Sequence, residues 1–133
     1  MNLDSDHLVT IMHGAICASV RADGPDLSAR QLALLLIVGL DPGMHTVRGL
    51  AAQLNISKPA VSRSLDRLCD IGLAGRAPDP RDQRSVLVVL TAAGRGHLAD
   101  LRGYLRDAAR PSSPSRSTRM VATRHAPAMM SAG

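Results

Sequence analysis

The sequence predicts a mainly α-helical fold with one small antiparallel β-hairpin. Apolar residues recur at helical spacing in five segments of the 133-residue chain. Two short apolar runs, residues 73–77 and 85–90, flank a polar, turn-forming segment, as the strands of a hairpin do. A chain of this length forms one domain with its own core. Because Tyr104 is the only aromatic residue, that core must be aliphatic.

Two helices are predicted before residue 42. The first covers residues 5–22 and carries an apolar face made of Leu8, Ile11, Met12, Ala15, Ile16 and Val20. The second begins after Ser28, which forms a capping-box pattern with Gln31, and runs to about Gly39. This second helix is apolar almost all round, which predicts that it lies at the centre of the domain.

A helix–turn–helix is predicted over residues 46–72. Thr46 and Ser57 are cap residues for its two helices, and Asn55 between them tolerates the left-handed conformation of a tight turn. Pro59 suits a first helical turn, and Gly72 suits the position after a helix end. The core face of the second of these helices consists of Val61, Leu65, Leu68 and Ile71.

The hairpin is predicted over residues 73–90 and a fifth helix over residues 91–109. Thr91 caps this helix, and its inward face consists of Leu98, Leu101 and Leu105. This order of elements is a winged helix–turn–helix domain over residues 1–109. Prolines and serines follow from Arg110, so residues 110–133 are expected to be a basic, disordered tail.

Several segments resemble the MarR (multiple-antibiotic-resistance) family of bacterial transcriptional regulators. The segments that carry the resemblance are Val47–Leu54, Ile56–Leu68, the wing Asp79–Val88 and the sequence Leu90-Thr91-Ala92-Ala93-Gly94. The likeness covers roughly residues 27–100. It implies a homodimer that binds a pseudo-palindromic operator in double-stranded DNA, with one recognition helix in each of two major grooves about 34 Å apart.

The resemblance also implies which residues contact DNA. The fourth helix corresponds to the recognition helix, Arg84 to the arginine that enters the minor groove, and Asp82 to the acid that orients it. Arg63 has the length and the planar fork to recognise a guanine edge. The full predicted set is Ser57, Lys58, Ser62, Arg63, Arg67, Arg81, Asp82 and Arg84. The alternative is that these side chains form an ordinary solvated surface.

Overall charge adds little to this prediction. The net charge is +5, but four arginines and no acid lie after residue 109, so residues 1–109 hold 12 basic and 11 acidic side chains. The local placement of arginines on the fourth helix and the wing is the stronger argument. The lack of aromatic residues also argues against the stacking surfaces of single-strand and RNA binders.

The predicted function is therefore that of a cytoplasmic DNA-binding regulator, expected to be a repressor. The resemblance implies a small anionic or phenolic effector that binds between the dimerisation helices and the DNA-binding lobe. No membrane span is expected, because Leu32–Val38 is too short to cross a bilayer.

The alternative function is a truncated winged-helix module that pairs with relatives or another protein without repressing on its own. It follows from the short C-terminal half, since no final helix is predicted after Pro111. The dimer interface is then reduced to the first and fifth helices, or the chain is truncated or frame-shifted at its end.

No pattern favours an enzyme, and no cofactor is predicted. His13 with Cys17 and His97 with Asp100 form two loose pairs at helical spacing, which isolated core or surface residues explain as well as a metal site does. Cys17 on the first helix is either a core residue, as free cysteines commonly are, or a redox sensor. Arg21, one helical turn away, is the one neighbouring cation on that helix that favours the redox alternative. Cys69 is expected to be a packing residue.

Overall fold

Five helices and three short strands make up residues 4–111, the part of the chain that the computed structural model describes. In chain order they are α1 (Ser5–Arg21), α2 (Ala29–Leu40), β1 (His45–Thr46), α3 (Val47–Leu54), α4 (Lys58–Asp70), β2 (Ala74–Pro78), β3 (Val86–Leu90) and α5 (Ala92–Ala109). The predicted fold class, a mainly α-helical winged helix–turn–helix, is confirmed. The predicted tail lies, from residue 112 onward, outside the described residues.

Helices α2 to α5 each begin directly after a cap residue that the sequence predicts. The Ser28 hydroxyl accepts the Gln31 N–H at 3.2 Å, and the Gln31 side chain accepts the Ser28 N–H at 2.9 Å. Thr46, Ser57 and Thr91 each accept the N–H three residues onward at 3.0–3.1 Å. These bonds satisfy donors that a helix start leaves free, so local sequence alone sets these boundaries.

The core lies where α2, α4 and the sheet meet. Its buried side chains include Leu34, Leu35, Leu50, Val61, Leu65, Leu68, Leu73, Val88 and Leu98, which confirms that the core is aliphatic. Burying one such side chain is worth roughly 1.5–3 kcal/mol. Helix α4 is therefore held firmly by one face, and its opposite face is left to solvent.

The sheet has a third strand that the sequence analysis missed. His45 and Thr46 pair with Val88 and Leu87, and the strand order is β1-β3-β2 with antiparallel neighbours. A two-residue strand has no alternation to detect, because only its partner in space defines it. Strand β1 connects the start of the helix–turn–helix to the wing.

The apolar face predicted for α1 is only partly buried. Ile11 and Ala15 are buried, but Leu8, Met12, Ile16 and Val20 are 41–66% exposed. Helix α1 packs on α5 through small residues: a Cβ added to Gly14 would lie 2.9 Å from the Ala108 Cβ. This close approach covers one narrow face of α1. The rest of the stripe, together with the partly exposed Leu105 of α5, faces outward in the single chain.

Candidate nucleic-acid interface

Helix α4 has a buried face and an exposed polar face. Ala60, Val61, Ser64, Leu65 and Leu68 are buried under the helix. The residues predicted to contact DNA lie on the other face: Ser57, Lys58, Arg63 and Arg67 are exposed, and Ser62 is half-buried. The Ser57 hydroxyl accepts the Ala60 N–H at 3.1 Å, so its role as a cap uses its acceptor and leaves its O–H free to donate.

The turn before α4 sets the direction in which this face points. Asn55 lies in the left-handed region with φ 54° and ψ 46°, as the sequence predicts, and Gly72 after the helix has φ 80°. The Ile56 N–H reaches back to the Ala51 carbonyl at 3.1 Å. The turn is thus closed by backbone bonds, and α3 holds α4 in one orientation.

The wing tip is organised by Asp79, which the sequence analysis did not select. Its buried carboxylate accepts the Arg81 backbone N–H at 2.9 Å and the Arg81 Nε–H at 3.2 Å. The backbone bond, followed by the guanidinium, holds the pKa of Asp79 below its usual 3.8. The detectable signal was an aspartate at a turn, since Asp often binds the backbone two residues onward.

Asp82 and Arg84 are linked through the backbone of the wing turn. The Asp82 carboxylate accepts the backbone N–H of Arg84 at 3.0 Å, and the Asp82 carbonyl accepts the Ser85 N–H at 3.0 Å. Asp82 therefore shapes the backbone from which Arg84 projects, whereas its carboxylate does not hold the guanidinium. Among residues 4–111, no carboxylate lies within ion-pair distance of Arg84, whereas Arg81 is tied to Asp79.

A groove of about 480 Å³ separates α4 from the wing. Four of the predicted residues line it together: Lys58, Ser62, Asp82 and Arg84. Two arginines outside the predicted set line it as well: Arg76, which belongs to the local arginines that favour DNA binding, and Arg48, which the sequence analysis did not select. Arg63, Arg67, Ser57 and Arg81 lie outside the lining, so the predicted set divides between the groove and the surfaces beside it.

An ion pair joins the wing to α4 beside this groove. The Arg76 guanidinium on β2 donates to the Asp66 carboxylate on α4, and its other Nη lies 3.5 Å from the Cys69 Sγ. Both charged side chains are partly exposed, and such pairs contribute about 0–1 kcal/mol to stability. The pair is therefore a geometric link between β2 and α4 more than a source of stability.

The candidate metal and redox residues stay apart. Within residues 4–111 there is no group of three or more His, Cys or Asp side chains that could hold a metal ion. His97 and Asp100 line a cleft beside α1, but neither His13 nor Cys17 lines it. Both cysteines are free and half-buried. None of the described helices is both long enough and apolar enough to span a bilayer.

Comparisons with known proteins agree with this geometry. The sequence profile described as the MarR family matches residues 26–85. An uncharacterized HTH-type transcriptional regulator of Mycobacterium bovis is 30% identical over 92 residues, which are 69% of this chain and 64% of that protein. The chain therefore spans less than two thirds of that relative's length.

Solved structures show the same fold. The transcriptional regulator Tm0710 of Thermotoga maritima superposes with a TM-score of 0.68 at 16% identity, over 95% of this chain and 89% of that one. RV1404 of Mycobacterium tuberculosis superposes with a TM-score of 0.62 at 28% identity, over 93% and 75% of the two chains.

Proposed function

We propose, from the premise that the chain belongs to the MarR family of transcriptional regulators, that it is a repressor acting as a homodimer on a pseudo-palindromic operator. Regulators of this family are not enzymes. The proposed regulator binds DNA in the cytoplasm. One observation carries the proposal: the exposed polar face of α4 lies beside a wing whose Arg84 has no carboxylate partner among residues 4–111.

Helix α4 has the dimensions and chemistry of a major-groove reader. Its 13 residues make a rod of roughly 20 Å, and its first turns carry Lys58, Ser62 and Arg63. Arg63 binds the O6 and N7 atoms of a guanine, while the serines and Lys58 bind nearby phosphates. The buried opposite face keeps the helix rigid, so these groups are positioned before DNA binds.

The wing places a cation for the neighbouring minor groove. A narrow minor groove concentrates negative potential, which favours an arginine at the tip of a hairpin. Arg84 meets this requirement because Asp82 holds its backbone and leaves its guanidinium free. Arg81 is a weaker candidate, since its guanidinium is bonded to the buried Asp79.

Dimerisation is supported by the outward apolar face of α1. Leu8, Val9, Met12, Ile16 and Val20 are all at least 41% exposed on one helix. Exposed apolar patches of this kind mark interaction surfaces. A second copy that packs on α1 and α5 covers them and holds two α4 helices at half-site spacing.

The test measures binding of the whole chain to its own upstream DNA by fluorescence anisotropy. Arg63→Ala is expected to weaken operator binding roughly tenfold or more, since a bidentate base contact is worth about 1–3 kcal/mol. Arg84→Ala is expected to weaken it as well. Arg30→Ala, an exposed arginine at the start of α2, is the matched control. Unchanged affinity in both site variants, at unchanged thermal stability, contradicts the proposal.

The same apolar face supports a second candidate, a module that pairs with a relative or another protein and does not repress alone. The two candidates differ in one measurement. A regulator is expected to sediment as a dimer and, on its own, to shift its upstream DNA in a gel. A monomer that leaves the DNA unshifted, and shifts it only when a longer relative is added, supports the interaction module.

The effector, where one binds, is proposed to be phenolic rather than anionic. The cleft of about 440 Å³ between α1, α5 and the loop that joins α1 to α2 is lined by three carboxylates, Asp23, Asp26 and Asp100, beside His97. No arginine or lysine among residues 4–111 lines it. Carboxylates repel an anion but accept the O–H of a phenol. A neutral phenol is expected to release bound DNA, and a carboxylate of equal size is not. Release by the carboxylate alone contradicts this choice.

A further inference from the structure

The groove between α4 and the wing is lined by cations from four separate elements. Arg48 comes from the first turn of α3, Lys58 from the first turn of α4, Arg76 from β2 and Arg84 from the wing. Asp82 is the one carboxylate in the lining. Residues far apart in sequence thus meet around one concave surface with a strong positive excess.

The geometry of duplex DNA indicates which part of the duplex occupies this groove. A sugar–phosphate strand separates every major groove from the minor groove next to it. If α4 lies in the major groove and Arg84 enters the adjacent minor groove, that strand must cross the space between them. The space on this protein is the groove, and side chains that only line it meet phosphates rather than base edges.

Arg48 and Arg76 differ in how free they are to bind a phosphate. Arg76 is already bonded to Asp66 and lies beside Cys69, so part of its charge is used within the protein. Arg48 is exposed, and none of the ion pairs within residues 4–111 includes it. Thr46, two residues before Arg48, also lines the groove. Its hydroxyl oxygen accepts the Gly49 N–H, so its O–H remains available to donate to a phosphate.

We propose that the groove binds a phosphodiester of the DNA strand between the major and minor grooves, and that Arg48 is its main ligand. This inference rests on the proposed DNA-binding function and adds a residue outside both the recognition helix and the wing. Arg48 contributes affinity that does not depend on base sequence, in contrast to Arg63. Thr46 and Ser62 are neutral donors along the same path.

The test compares Arg48→Gln and Arg48→Lys with the control Arg30→Gln, which removes another exposed arginine that lies outside the groove. Affinity is measured against salt concentration on two probes, the upstream DNA of the first test and an unrelated duplex of the same length. Arg48→Gln is expected to weaken both complexes by the same factor, roughly three- to tenfold. It is also expected to reduce the slope of log affinity against log salt by about 0.9 per protomer.

Arg48→Lys distinguishes a phosphate from a base as the partner. The lysine ammonium is a point charge that still binds a phosphate but lacks the planar fork that binds a guanine in a bidentate way. If Arg48 binds a phosphate, the salt slope of Arg48→Lys is therefore expected to stay at its wild-type value. A salt slope unchanged by Arg48→Gln overturns the proposal. A loss of affinity confined to the upstream DNA also overturns it, because Arg48 then recognises a base. Wild-type protein that binds neither duplex overturns the proposed function itself, together with the groove assignment.

Discussion

Gly94 lies where the first turn of α5 meets the start of the wing. A Cβ added there would lie 2.0 Å from the carbonyl oxygen of Leu73 and 3.1 Å from its carbon. That carbonyl accepts the Thr91 N–H at 3.1 Å, and the Thr91 hydroxyl donates to the neighbouring Gly72 carbonyl at 2.6 Å. The oxygen is therefore held in place by the cap of α5, and Gly94→Ala forces backbone to move.

The expected size of the effect follows from two opposing terms. Alanine gains up to about 1 kcal/mol of helix propensity over glycine. Overpacking against a fixed atom costs about 1–3 kcal/mol, and a displaced carbonyl loses a hydrogen bond worth about 0.5–1.5 kcal/mol. The net result for Gly94→Ala is a loss of roughly 1–3 kcal/mol. In a domain of this size that is a fall in Tm of roughly 5–20 °C.

Gly96→Ala is the matched control, because it lies in the same helix and nothing is within 4 Å of its added Cβ. It is expected to raise the free energy of unfolding by about 0.5–1 kcal/mol through helix propensity alone. Thermal unfolding of both variants, followed by circular dichroism at one protein concentration, gives the comparison. If both substitutions raise Tm equally, the Leu73 carbonyl is not held as described and the reasoning is wrong.

Three further predictions concern the wing, the turn before α4 and the surface of α1. Because the pKa of Asp79 is lower in the folded protein, its stabilising effect is present above about pH 4 and is lost as the pH falls further. Asp79→Asn is therefore expected to flatten the fall in Tm between neutral and acid pH. An equally steep fall in the variant contradicts this prediction. Asn55→Ala is expected to cost about 1–2 kcal/mol because alanine resists the left-handed region, while Asn55→Gly is tolerated; chemical denaturation compares them. Met12→Asp is expected to shift a dimer to monomer in sedimentation while the monomer keeps its helical circular dichroism, and an unchanged dimer removes this face from the interface.

The local features of the fold could be predicted from short segments. Ser28, Thr46, Ser57 and Thr91 each cap a helix through a bond to the N–H three residues onward, so adjacent residues contain all the information. Asn55 is equally local, since its side chain tolerates the conformation that its own backbone adopts. The basic face of α4 follows from the positions of its apolar residues, because burying Val61 and Leu65 turns Arg63 outward.

The candidate site was less predictable, because its parts are distant in sequence. Arg48 has no distinguishing neighbours, and Arg76 stood out only as one of several arginines near the wing. Only the packing of α3 and β2 beside α4 brings both to the groove. The bond of Asp79 to the Arg81 backbone follows from its place in a turn, but its burial depends on tertiary packing and cannot be predicted from residue types. Asp82 was expected to orient Arg84, and only the structure gives the contact between them, which is a bond from the Arg84 backbone N–H to the Asp82 carboxylate.

Capping, turn chemistry and the helical period of apolar residues were enough to establish the order of the five helices and the hairpin and the orientation of α4, whereas strand β1 needed its partner β3 to define it. Tertiary structure decided which surfaces remain open. It left most of the α1 stripe exposed, because α5 covers only the narrow face around Gly14, and it gathered four cations around one groove. These outcomes depend on which elements pack together, and the spacing of residues along one segment does not contain that information.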